Sequence, residues 1–387
     1  MPAPGGAQRP LRILHVFRAP LGGLFRHVLD VTRGQIARGH EVGIFCDSTT
    51  GGPRADEVLA ELAPGLRLGL HRVPMRRLPH GTDITALASL TRVYRSAKPD
   101  VIHAHGSKGG LHGRLVTVPG QDRKTVRAYT PHGGSFNYNP GSPMHRVYMK
   151  VESLLAARTD VFLFESQYIR SRFDAYVGGT KRLVRVIRNG ISESEFEPLE
   201  RAADPFDLIY LGELREAKGV DTLIDALSVI RRKHGLRLTL LAVGSGPSEE
   251  VLHKRAREAG IWDSTTFEPP QPIRPALARG RIMVIPSKAE SLPYVILEAA
   301  AAAQPLVSTN VGGIPEIFGE WSGQLVPPSD VEALAAAILA KVAEPEGIRA
   351  GEAEALSRAV RAGFDMEAMI DLGIAGYREA LAARGIN

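Results

Sequence analysis

The sequence contains one cysteine, few aromatic residues and no long apolar run. Because Cys46 stands alone in 387 residues, an internal disulfide and any Cys-x-x-Cys metal or redox site are excluded. Aromatic residues make up only 6%, which argues against a surface that stacks on nucleic-acid bases. The longest nearly apolar stretch, residues 295–303, is interrupted by Glu298 and is far shorter than the roughly 18 residues needed to span a bilayer. We therefore predict neither a membrane-spanning segment nor a nucleic-acid partner.

Several catalytic signatures are absent as well. The sequence has no Gly-x4-Gly-Lys-Ser/Thr loop, no Gly-x-Ser-x-Gly elbow, no His-Glu-x-x-His and no Gly-x-Gly-x-x-Gly after the first predicted strand. These absences argue against an ATPase, a serine hydrolase, a zinc protease and an ordinary NAD enzyme. No Asp-x-Asp pair is present to hold a divalent metal on a nucleotide diphosphate, so we predict metal-independent chemistry without a cofactor.

Residues 1–10 lack the apolar segment of a secretion signal and form a short tail rich in proline and glycine. With a single cysteine, this tail predicts a cytoplasmic protein. The length predicts two domains at about 150 residues each. The composition is globular, since 44% of the residues are hydrophobic and 23% are charged.

Charge divides the chain into two unlike halves. Residues 1–190 carry 28 basic and 13 acidic residues, whereas residues 191–387 carry 20 basic and 29 acidic residues. Ten of the twelve histidines also lie in the first half. A basic half favours a polyanionic partner, such as an anionic lipid surface, a lipid pyrophosphate or a nucleic acid, although a solvated basic face without a partner explains it too.

Short apolar runs alternate with segments of helical period, which is typical of parallel sheets covered by helices. The predicted strands of the first half are residues 11–17, 41–46, 100–105, 125–130 and 161–165. After a polar loop the pattern starts again, with predicted strands at residues 207–211, 236–243, 265–267 and 282–285. We predict an α/β protein with domains at residues 1–190 and 205–365 and a linker at 191–204. Because ligands bind outside the carboxyl ends of such strands, the expected site is the cleft between the domains.

The densest candidate site is the segment PSKAESLPYVILEAAAAAQPLVST, residues 286–309. Pro293 suits the first turn of a helix, which places Glu290 in the loop before the helix and Glu298 on it. Carboxylates accept paired hydrogen bonds from sugar hydroxyls, and the backbone N–H groups of residues 291–295 would suit a phosphate. The pattern therefore indicates a nucleotide-sugar site, although a capping Glu290 and a surface Glu298 would fit the spacing equally well.

This segment resembles the Glu-x7-Glu signature of the family 4 glycosyltransferases. Similar motifs run from about residue 11 to residue 377, and comprise Gly22-Gly23, Gly39-His40-Glu41-Val42, residues 100–105, Thr130-Pro131-His132-Gly133, Asn189-Gly190-Ile191, Lys218-Gly219, residues 243–247 and Gly312-Gly313-Ile314-Pro315-Glu316. The resemblance implies the GT-B architecture, in which two Rossmann-like domains face each other. It also implies a last helix, within residues 366–387, that packs back onto the first domain.

The resemblance assigns roles to individual residues. It implies that Glu290 contacts the donor sugar, Glu298 contacts the ribose, and Lys218 neutralises the diphosphate. His132 matches a histidine that hydrogen-bonds the donor sugar. The implied donor-binding residues also include Gly22, Gly23, Ser291, Leu292, Pro293 and Tyr294. On the residues alone, Lys218 could be an ordinary surface lysine, His132 a buried structural residue and Gly22-Gly23 a simple turn.

One position departs from the family pattern. The family usually has Arg after the glycine that ends the first strand of the second domain, whereas this sequence has Glu213, followed two positions later by Arg215. We expect Arg215 to supply the missing cation, the alternative being a surface role.

His103 and His105 are two positions apart and share a face of a predicted strand, a spacing that could hold a metal with His132 or His112. Residues 101–150 contain a single acidic residue, Asp122, so carboxylates to orient metal-bound imidazoles are scarce. We therefore predict no metal site.

The expected function is a retaining, metal-independent hexosyltransferase. It would move a hexose from a nucleoside diphosphate sugar to a glycan or lipid-linked acceptor in cell-surface or exopolysaccharide biosynthesis. The basic stretches at residues 92–108 and 170–188 predict peripheral contact with an anionic membrane. Two alternatives stay open, namely a nucleotide-sugar 2-epimerase of the same fold and a non-catalytic subunit that binds sugar nucleotides.

Overall fold

A computed structural model describes residues 9–386 of the protein. Most of the predicted N-terminal tail, residues 1–8, lies outside the described residues. The chain divides into two compact units. The first unit contains the residues up to Asn189 together with those from Met366 onward, and the second unit is Gly190–Asp365.

The first unit is built on seven strands: β1 (Arg12–Val16), β2 (Glu41–Asp47), β3 (Leu70–Val73), β4 (Val101–His105), β5 (Val126–Thr130), β6 (Val161–Phe164) and β7 (Leu183–Val186). They form one parallel sheet in the order β3-β2-β1-β4-β5-β6-β7. Its helices are α1 (Gly22–Ala37), α2 (Gly52–Leu62), α3 (Thr82–Ala97), α4 (Gly106–Leu115), α5 (Pro143–Ala156) and α6 (Gln167–Val177). Strands β4 and β5 are buried at every residue, as expected where helices cover both faces of a parallel sheet.

The second unit repeats this arrangement with five strands: β8 (Phe206–Leu211), β9 (Leu240–Val243), β10 (Thr265–Glu268), β11 (Gly280–Ile285) and β12 (Leu306–Ser308). The strands are parallel and their order is β10-β9-β8-β11-β12. The helices are α7 (Val220–His234), α8 (Glu249–Glu258), α9 (Ile273–Leu277), α10 (Tyr294–Ala301), α11 (Ile314–Phe318), α12 (Val331–Ala343) and α13 (Glu346–Gly363). Two buried apolar clusters lie on opposite faces of this sheet, so it too is covered on both sides.

The residues predicted as a linker, 191–204, belong to the second unit instead of joining two domains freely. Ile191 is buried and forms a parallel bridge to Asp365. Phe196 and Leu199 pack against an apolar cluster of the second unit, and the N–H of Ala202 donates to the carbonyl of Ala278 at 2.9 Å. The segment is polar in sequence, but its few apolar residues are enough to attach it.

The last helix, α14 (Met366–Ala383), belongs to the first unit. Its buried face includes Ile370 and Tyr377, and it packs against α1 and the neighbouring strands. Gly34 on α1 makes this contact close, because a Cβ at this position would lie 2.2 Å from the Ile370 side chain. Arg38 adds hydrogen-bonded ion pairs to Glu367 and Asp371 at 2.8 Å and 2.6 Å.

Some element boundaries differ from the sequence prediction. Helix α10 begins at Tyr294, so Pro293 immediately precedes the helix instead of lying in its first turn. Strands β3, β7 and β12 were not predicted. β12 has only three residues, and none of the residues of β3 or β7 is fully buried, so neither has the continuous apolar run of a central strand.

Among the described residues, no helix is long and apolar enough to cross a membrane.

Candidate functional site

Each sheet changes its winding direction at one pair of neighbouring strands. In the first unit this switch point lies between β1 and β4, and in the second unit it lies between β8 and β11. Ligands of open parallel sheets bind outside the carboxyl ends of the strands at such a point. The predicted site residues fall at both places. His103 and His105 lie on β4 and His132 follows β5, whereas Lys218 follows β8 and Glu290 follows β11.

At the second switch point, a lysine and a glutamate from different loops meet. Glu290 follows β11 and is 8% exposed, and its Oε1 accepts hydrogen bonds from Lys218 Nζ at 2.6 Å and from Ser287 Oγ at 2.7 Å. Lys218 lies in the loop after β8, and Ser287 is fully buried. These two predicted site residues are therefore in contact, although 72 residues separate them in the chain.

Glycines bring these loops together. A Cβ on Gly219, which has φ +69°, would lie 1.9 Å from the carbonyl oxygen of Pro286. A Cβ on Gly312, with φ +62°, would lie 2.1 Å from the carbonyl oxygen of Glu290. Only glycine permits both the left-handed conformation and so close a backbone approach. The loops that carry Lys218 and Glu290 are therefore held against each other and against the Gly312-Gly313 turn.

Helix α10 starts directly after this loop. Leu292, Pro293 and Tyr294 are buried, whereas Ser291, Val295 and Glu298 are half-buried. The N-cap residue, Pro293, makes no side-chain capping hydrogen bond. The segment between Glu290 and Glu298 thus lies at the carboxyl end of β11, with its helix N-terminus near the Lys218–Glu290 pair.

Arg215 does not reach this pair. Its guanidinium Nε lies 2.8 Å from Oε2 of Glu213, and both side chains are about two-fifths exposed, at 40% and 44%. Arg215, which we expected to supply the missing cation, is therefore paired with Glu213, the residue at the position of the family arginine.

Sequence reasoning missed Ser287 and Tyr210 at this site. Tyr210 lies on β8 one residue before its end, and its hydroxyl donates to the carbonyl of Glu213 at 2.9 Å. Burial, and secondarily the charge of Glu290, raises the pKa of Tyr210 well above its usual range. The only signal for Ser287 was its place three residues before Glu290.

The first switch point is a cluster of five histidines. His15 lies on β1, His103 and His105 lie on β4, His27 lies on α1 and His132 follows β5. The rings of His103 and His105 are 3.8 Å apart between centroids, and those of His27 and His132 are 4.7 Å apart. His15 and His27 were not predicted as site residues; the signal was a polar His15 inside an apolar strand.

Burial keeps this cluster uncharged at neutral pH. It lowers the pKa of His15 and of His27 to about 4, against small opposing effects of hydrogen bonds to Gln35 and Asn189. It also lowers the pKa of His103, His105 and His132 well below the usual value. The five rings therefore act as neutral hydrogen-bonding groups.

His132 sits in a strained turn that the surrounding network supports. Its φ is +52°, and Gly133 and Gly134 follow with φ +73° and +36°. A non-glycine residue in this region is uncommon and costs free energy, so neighbours must hold it. The backbone N–H of Ser135 donates to Ser107 Oγ at 2.8 Å, and Ser135 Oγ donates to buried Glu152 at 3.1 Å.

Two groups of three histidines have ring nitrogens within 4.8 Å of one another, close enough to hold a metal ion: His15, His103 and His105, and His27, His105 and His132. Hydrogen bonds between rings or to Gln35, Thr130 and Tyr377 already explain the orientation of four of these rings. His112 is not part of either group. Its Nδ1 donates to the Lys108 carbonyl, so His112 does not join His103 and His105 in the grouping that their spacing left open.

Gly22 and Gly23 form the exposed N-terminal end of α1. Gly22 has φ +65°, and a Cβ there would meet no atom within 4 Å. The positive φ favours glycine at this position, but no neighbouring atom would collide with a larger side chain.

Two family sequence profiles match the chain. The profile described as "Glycosyl transferases group 1" matches residues 191–360, and the profile "Glycosyltransferase Family 4" matches residues 21–195. Glycogen synthase of Mycobacterium tuberculosis is 30% identical over 350 residues, which cover 84% of this chain and 83% of that protein. The chain belongs to the family 4 glycosyltransferases. The predicted family is thereby confirmed.

Solved structures confirm the fold of this glycosyltransferase. Sucrose-phosphate synthase from Thermosynechococcus elongatus has a TM-score of 0.78 at 21% identity and covers 96% of this chain and 100% of its own. HepE of Anabaena, solved in complex with UDP-glucose, has a TM-score of 0.75 at 19% identity with the same coverage. The chain therefore has the predicted α/β, GT-B fold class with two Rossmann-like units.

Proposed function

We propose that this glycosyltransferase transfers a hexose from a nucleoside diphosphate sugar to a hydroxyl of a glycan or lipid-linked saccharide, with retention of anomeric configuration and without a metal ion. The observation that carries the proposal is the contact of Lys218 with Glu290 at the switch point of the second sheet. A related protein, HepE, was solved with UDP-glucose bound, which supports a nucleotide sugar as donor.

The charges at this site suit the two ends of such a donor. The Lys218 ammonium would pair with the diphosphate and stabilise the negative charge that grows on it as the sugar leaves. Glu290, released from Lys218, would accept hydrogen bonds from hydroxyls of the sugar, and Glu298 would accept hydrogen bonds from the ribose. Ser291, Leu292, Pro293 and Tyr294 would contribute backbone groups at the start of α10.

Arg215 would provide a second positive charge by exchanging partners. Its contact with Glu213 lies at the surface, where such ion pairs contribute little to stability. A diphosphate carries more charge than one carboxylate and would compete for the guanidinium. Gly22 and Gly23, exposed at the start of α1, would let a phosphate or a hydroxyl approach the backbone closely.

The transfer itself needs no protein nucleophile. The bond from the anomeric carbon to the diphosphate oxygen breaks, and the acceptor oxygen bonds to the same face of that carbon. The departing diphosphate takes the proton of the acceptor hydroxyl. His132 is neutral and half-buried beside other rings, which suits hydrogen bonding to the donor sugar better than covalent attack.

Membrane contact is proposed for helix α5. Met144, Val147 and Leu154 are exposed by 47%, 59% and 68%, and they recur at helical spacing on one face. Arg146 and Lys150 are exposed on the same helix. An apolar stripe beside basic residues suits the surface of an anionic bilayer, where a lipid-linked acceptor of a cell-surface polysaccharide would be found.

Turnover with defined substrates tests the proposed reaction. The protein is incubated with UDP-, GDP- and ADP-hexoses and with glycan or lipid-linked acceptors, with magnesium or with EDTA. We expect one donor class to release its nucleotide diphosphate only when an acceptor is present, equally well in EDTA, and to give a product with the donor's anomeric configuration. An inverted product or a strict need for metal would overturn those parts of the proposal. Epimerisation of the donor without acceptor would favour the 2-epimerase, and donor binding without turnover would favour the binding subunit.

Sedimentation with liposomes tests the membrane contact. We expect more protein to sediment with anionic than with neutral vesicles, and Val147→Glu with Leu154→Glu to reduce the difference. The matched control replaces exposed Ile84 of α3 with Glu. Equal sedimentation with both kinds of vesicle would contradict the proposal.

A further inference from the structure

Hydrogen bonds connect His132, His105, His15 and Gln35 one after another, from the candidate site into the interior of the first unit. We call this series of bonds the line. His132 Nε2 lies 3.0 Å from His105 Nδ1, and His105 Nε2 lies 2.9 Å from His15 Nδ1. His15 Nε2 in turn lies 2.9 Å from the side-chain oxygen of Gln35. The line therefore begins at a predicted substrate-binding residue and ends on helix α1.

The line continues through the last helix. The Gln35 amide nitrogen donates to the hydroxyl of Tyr377 at 3.3 Å. That hydroxyl lies 2.7 Å from His103 Nδ1, and His103 Nε2 lies 2.9 Å from Thr130 Oγ1. Gln35 and Tyr377 are fully buried, so no bulk water competes for these bonds.

The side-chain amide of Gln35 determines which atom donates and which accepts in each bond of the line. A neutral imidazole has one N–H donor and one acceptor nitrogen, and an amide oxygen only accepts. Since the Gln35 oxygen faces His15 Nε2, this nitrogen carries the proton and His15 Nδ1 accepts. His105 must then donate from Nε2 and accept at Nδ1, so that His132 donates from Nε2. The Nδ1 atom of His132 is left with its lone pair.

Tyr377 completes the arrangement on the other side of Gln35. Its hydroxyl accepts from the amide nitrogen and donates to His103 Nδ1. In every bond of the line the donor is therefore the group nearer to His132 along the line. If the amide of Gln35 were reversed, every bond between it and His132 would reverse as well, and the proton of His132 would move to Nδ1. The orientation of one buried amide thus determines which nitrogen of His132 can accept.

We propose that Gln35 and Tyr377 are positioning residues that hold His132 as its Nε2–H tautomer, so that Nδ1 accepts a hydrogen bond from a hydroxyl of a bound sugar. The substrate part of this inference rests on the proposed function, whereas the tautomer is a property of the folded chain alone. The burial that keeps the five rings uncharged supports it, because a protonated His15 would donate from both nitrogens and reverse the bonds to His105 and His132.

The tautomer is measured by NMR on the full chain labelled with 15N-histidine at pH 7, with the His132 signals assigned through His132→Asn. We expect His132, His105, His15 and His103 all to carry their proton on Nε2. A proton on Nδ1 of His132 in the unaltered protein would overturn the proposal.

Two variants test the positioning residues. In Gln35→Glu, a buried carboxylate next to His15 should hold that ring protonated, which reverses the bonds to His105 and moves the proton of His132 to Nδ1. In Tyr377→Phe the amide loses its acceptor, and we expect a mixture of His132 tautomers. Unchanged His132 signals in folded Tyr377→Phe would overturn the role of Tyr377, even if Gln35→Glu does not fold.

The matched control is Tyr94→Phe. Tyr94 is also fully buried in the first unit, and its hydroxyl donates to Asp122 at 2.8 Å, outside the histidine line. We expect this variant to leave every histidine tautomer unchanged. A purely structural role of Tyr377 would make the two tyrosine variants alike.

Activity separates the substrate part from the tautomer. With a turnover assay in hand, Tyr377→Phe should lower kcat/KM by about tenfold relative to Tyr94→Phe, the effect of one lost hydrogen bond. Shifted tautomers without any such loss would overturn the role of His132 Nδ1 toward the sugar while leaving the hydrogen-bonded line intact. If no donor and acceptor pair supports turnover but the tautomers are as stated, the proposed function fails and the positioning of His132 stands.

Discussion

The two units have their candidate sites at the same topological position, but the side chains there are neutral in one unit and charged in the other. In the first unit the switch point holds five histidines that burial keeps neutral. In the second unit it holds Lys218 in contact with Glu290, with a further pair between Lys288 and Asp221 at 2.6 Å. A neutral site suits hydroxyl groups and a charged site suits a diphosphate, so in the proposed reaction one fold repeated twice would supply both kinds of recognition.

The comparison predicts that acid destabilises the first unit more than the second. Below pH 6.5, His15 and His27 bind protons in the unfolded chain. In the folded chain they stay unprotonated until the pH approaches 4, because their pKa values there are about 4. Stability is therefore complete above about pH 6.5 and is lost as the pH falls toward 4. Between pH 7 and pH 5 these two residues alone lower the free energy of unfolding by about 4 kcal/mol.

Hydrogen exchange measures this difference within one molecule. Protection factors, corrected for the intrinsic pH dependence of exchange, should fall at pH 5 in β4 far more than in β8. The second unit serves as the internal control. Equal losses in the two strands would show that the histidines do not determine the acid response.

The charged site should be the more sensitive to loss of a single charge. Lys218→Ala removes the cation beside Glu290, and we expect kcat/KM to fall by about 100- to 1000-fold, as for other preorganised groups that stabilise developing charge. Lys218→Arg should restore part of the activity. Lys341→Ala is the control, because Lys341 is similarly buried and lies 2.7 Å from Glu352 on α13. A similar loss in both alanine variants would point to stability and not to catalysis.

The close approach of the loops can be tested with two glycines at the ends of α7. Gly219→Ala and Gly235→Ala introduce a side chain at φ +69° and +66°, which costs about 1 kcal/mol in each case. Only at Gly219 would the new Cβ meet the Pro286 carbonyl, at 1.9 Å, whereas nothing lies within 4 Å at Gly235. We expect a larger drop in Tm for Gly219→Ala, together with about tenfold lower transfer because Lys218 is displaced.

Similar losses of Tm and of activity in the two glycine variants would contradict the idea that this contact positions Lys218.

The smallest expected effect concerns Ser287. Ser287→Ala removes one of the two hydrogen bonds to Glu290 Oε1 and should lower kcat/KM several-fold, equivalent to about 1 kcal/mol. Ser308→Ala is the control, since Ser308 is equally buried but donates to the Ile285 carbonyl on the same sheet. An unchanged kcat/KM in Ser287→Ala would show that Lys218 alone orients Glu290.

The central strands and the segment from Glu290 to Glu298 were predictable because their signals are local. Runs of buried apolar residues mark the strands, and the spacing of the two glutamates lies within one motif. The contact of Lys218 with Glu290 was not predicted. The family resemblance assigned each residue to the donor separately, and a 72-residue separation leaves no pattern in the sequence.

The line from His132 to Tyr377 could not be predicted at all. His15 and Gln35 are 20 residues apart, and Gln35 and Tyr377 are 342 apart. Helical periodicity shows that α1 and α14 bury one face, but it does not show which polar residues of two buried faces meet. The pairing of Arg215 with Glu213 was equally open, because two exposed side chains can adopt many conformations.

The claim that the second unit binds the donor is tested most directly by thermal unfolding with UDP-, GDP- and ADP-hexoses, with and without magnesium. A ligand at one hundred times its Kd stabilises the folded state by about 2.7 kcal/mol. We predict that one nucleotide class raises the Tm without metal, and that Glu298→Ala weakens this rise whereas Glu332→Ala, at an exposed site paired with Lys233, does not. No rise with any of the three donors, or an equal rise in both variants, would contradict the account.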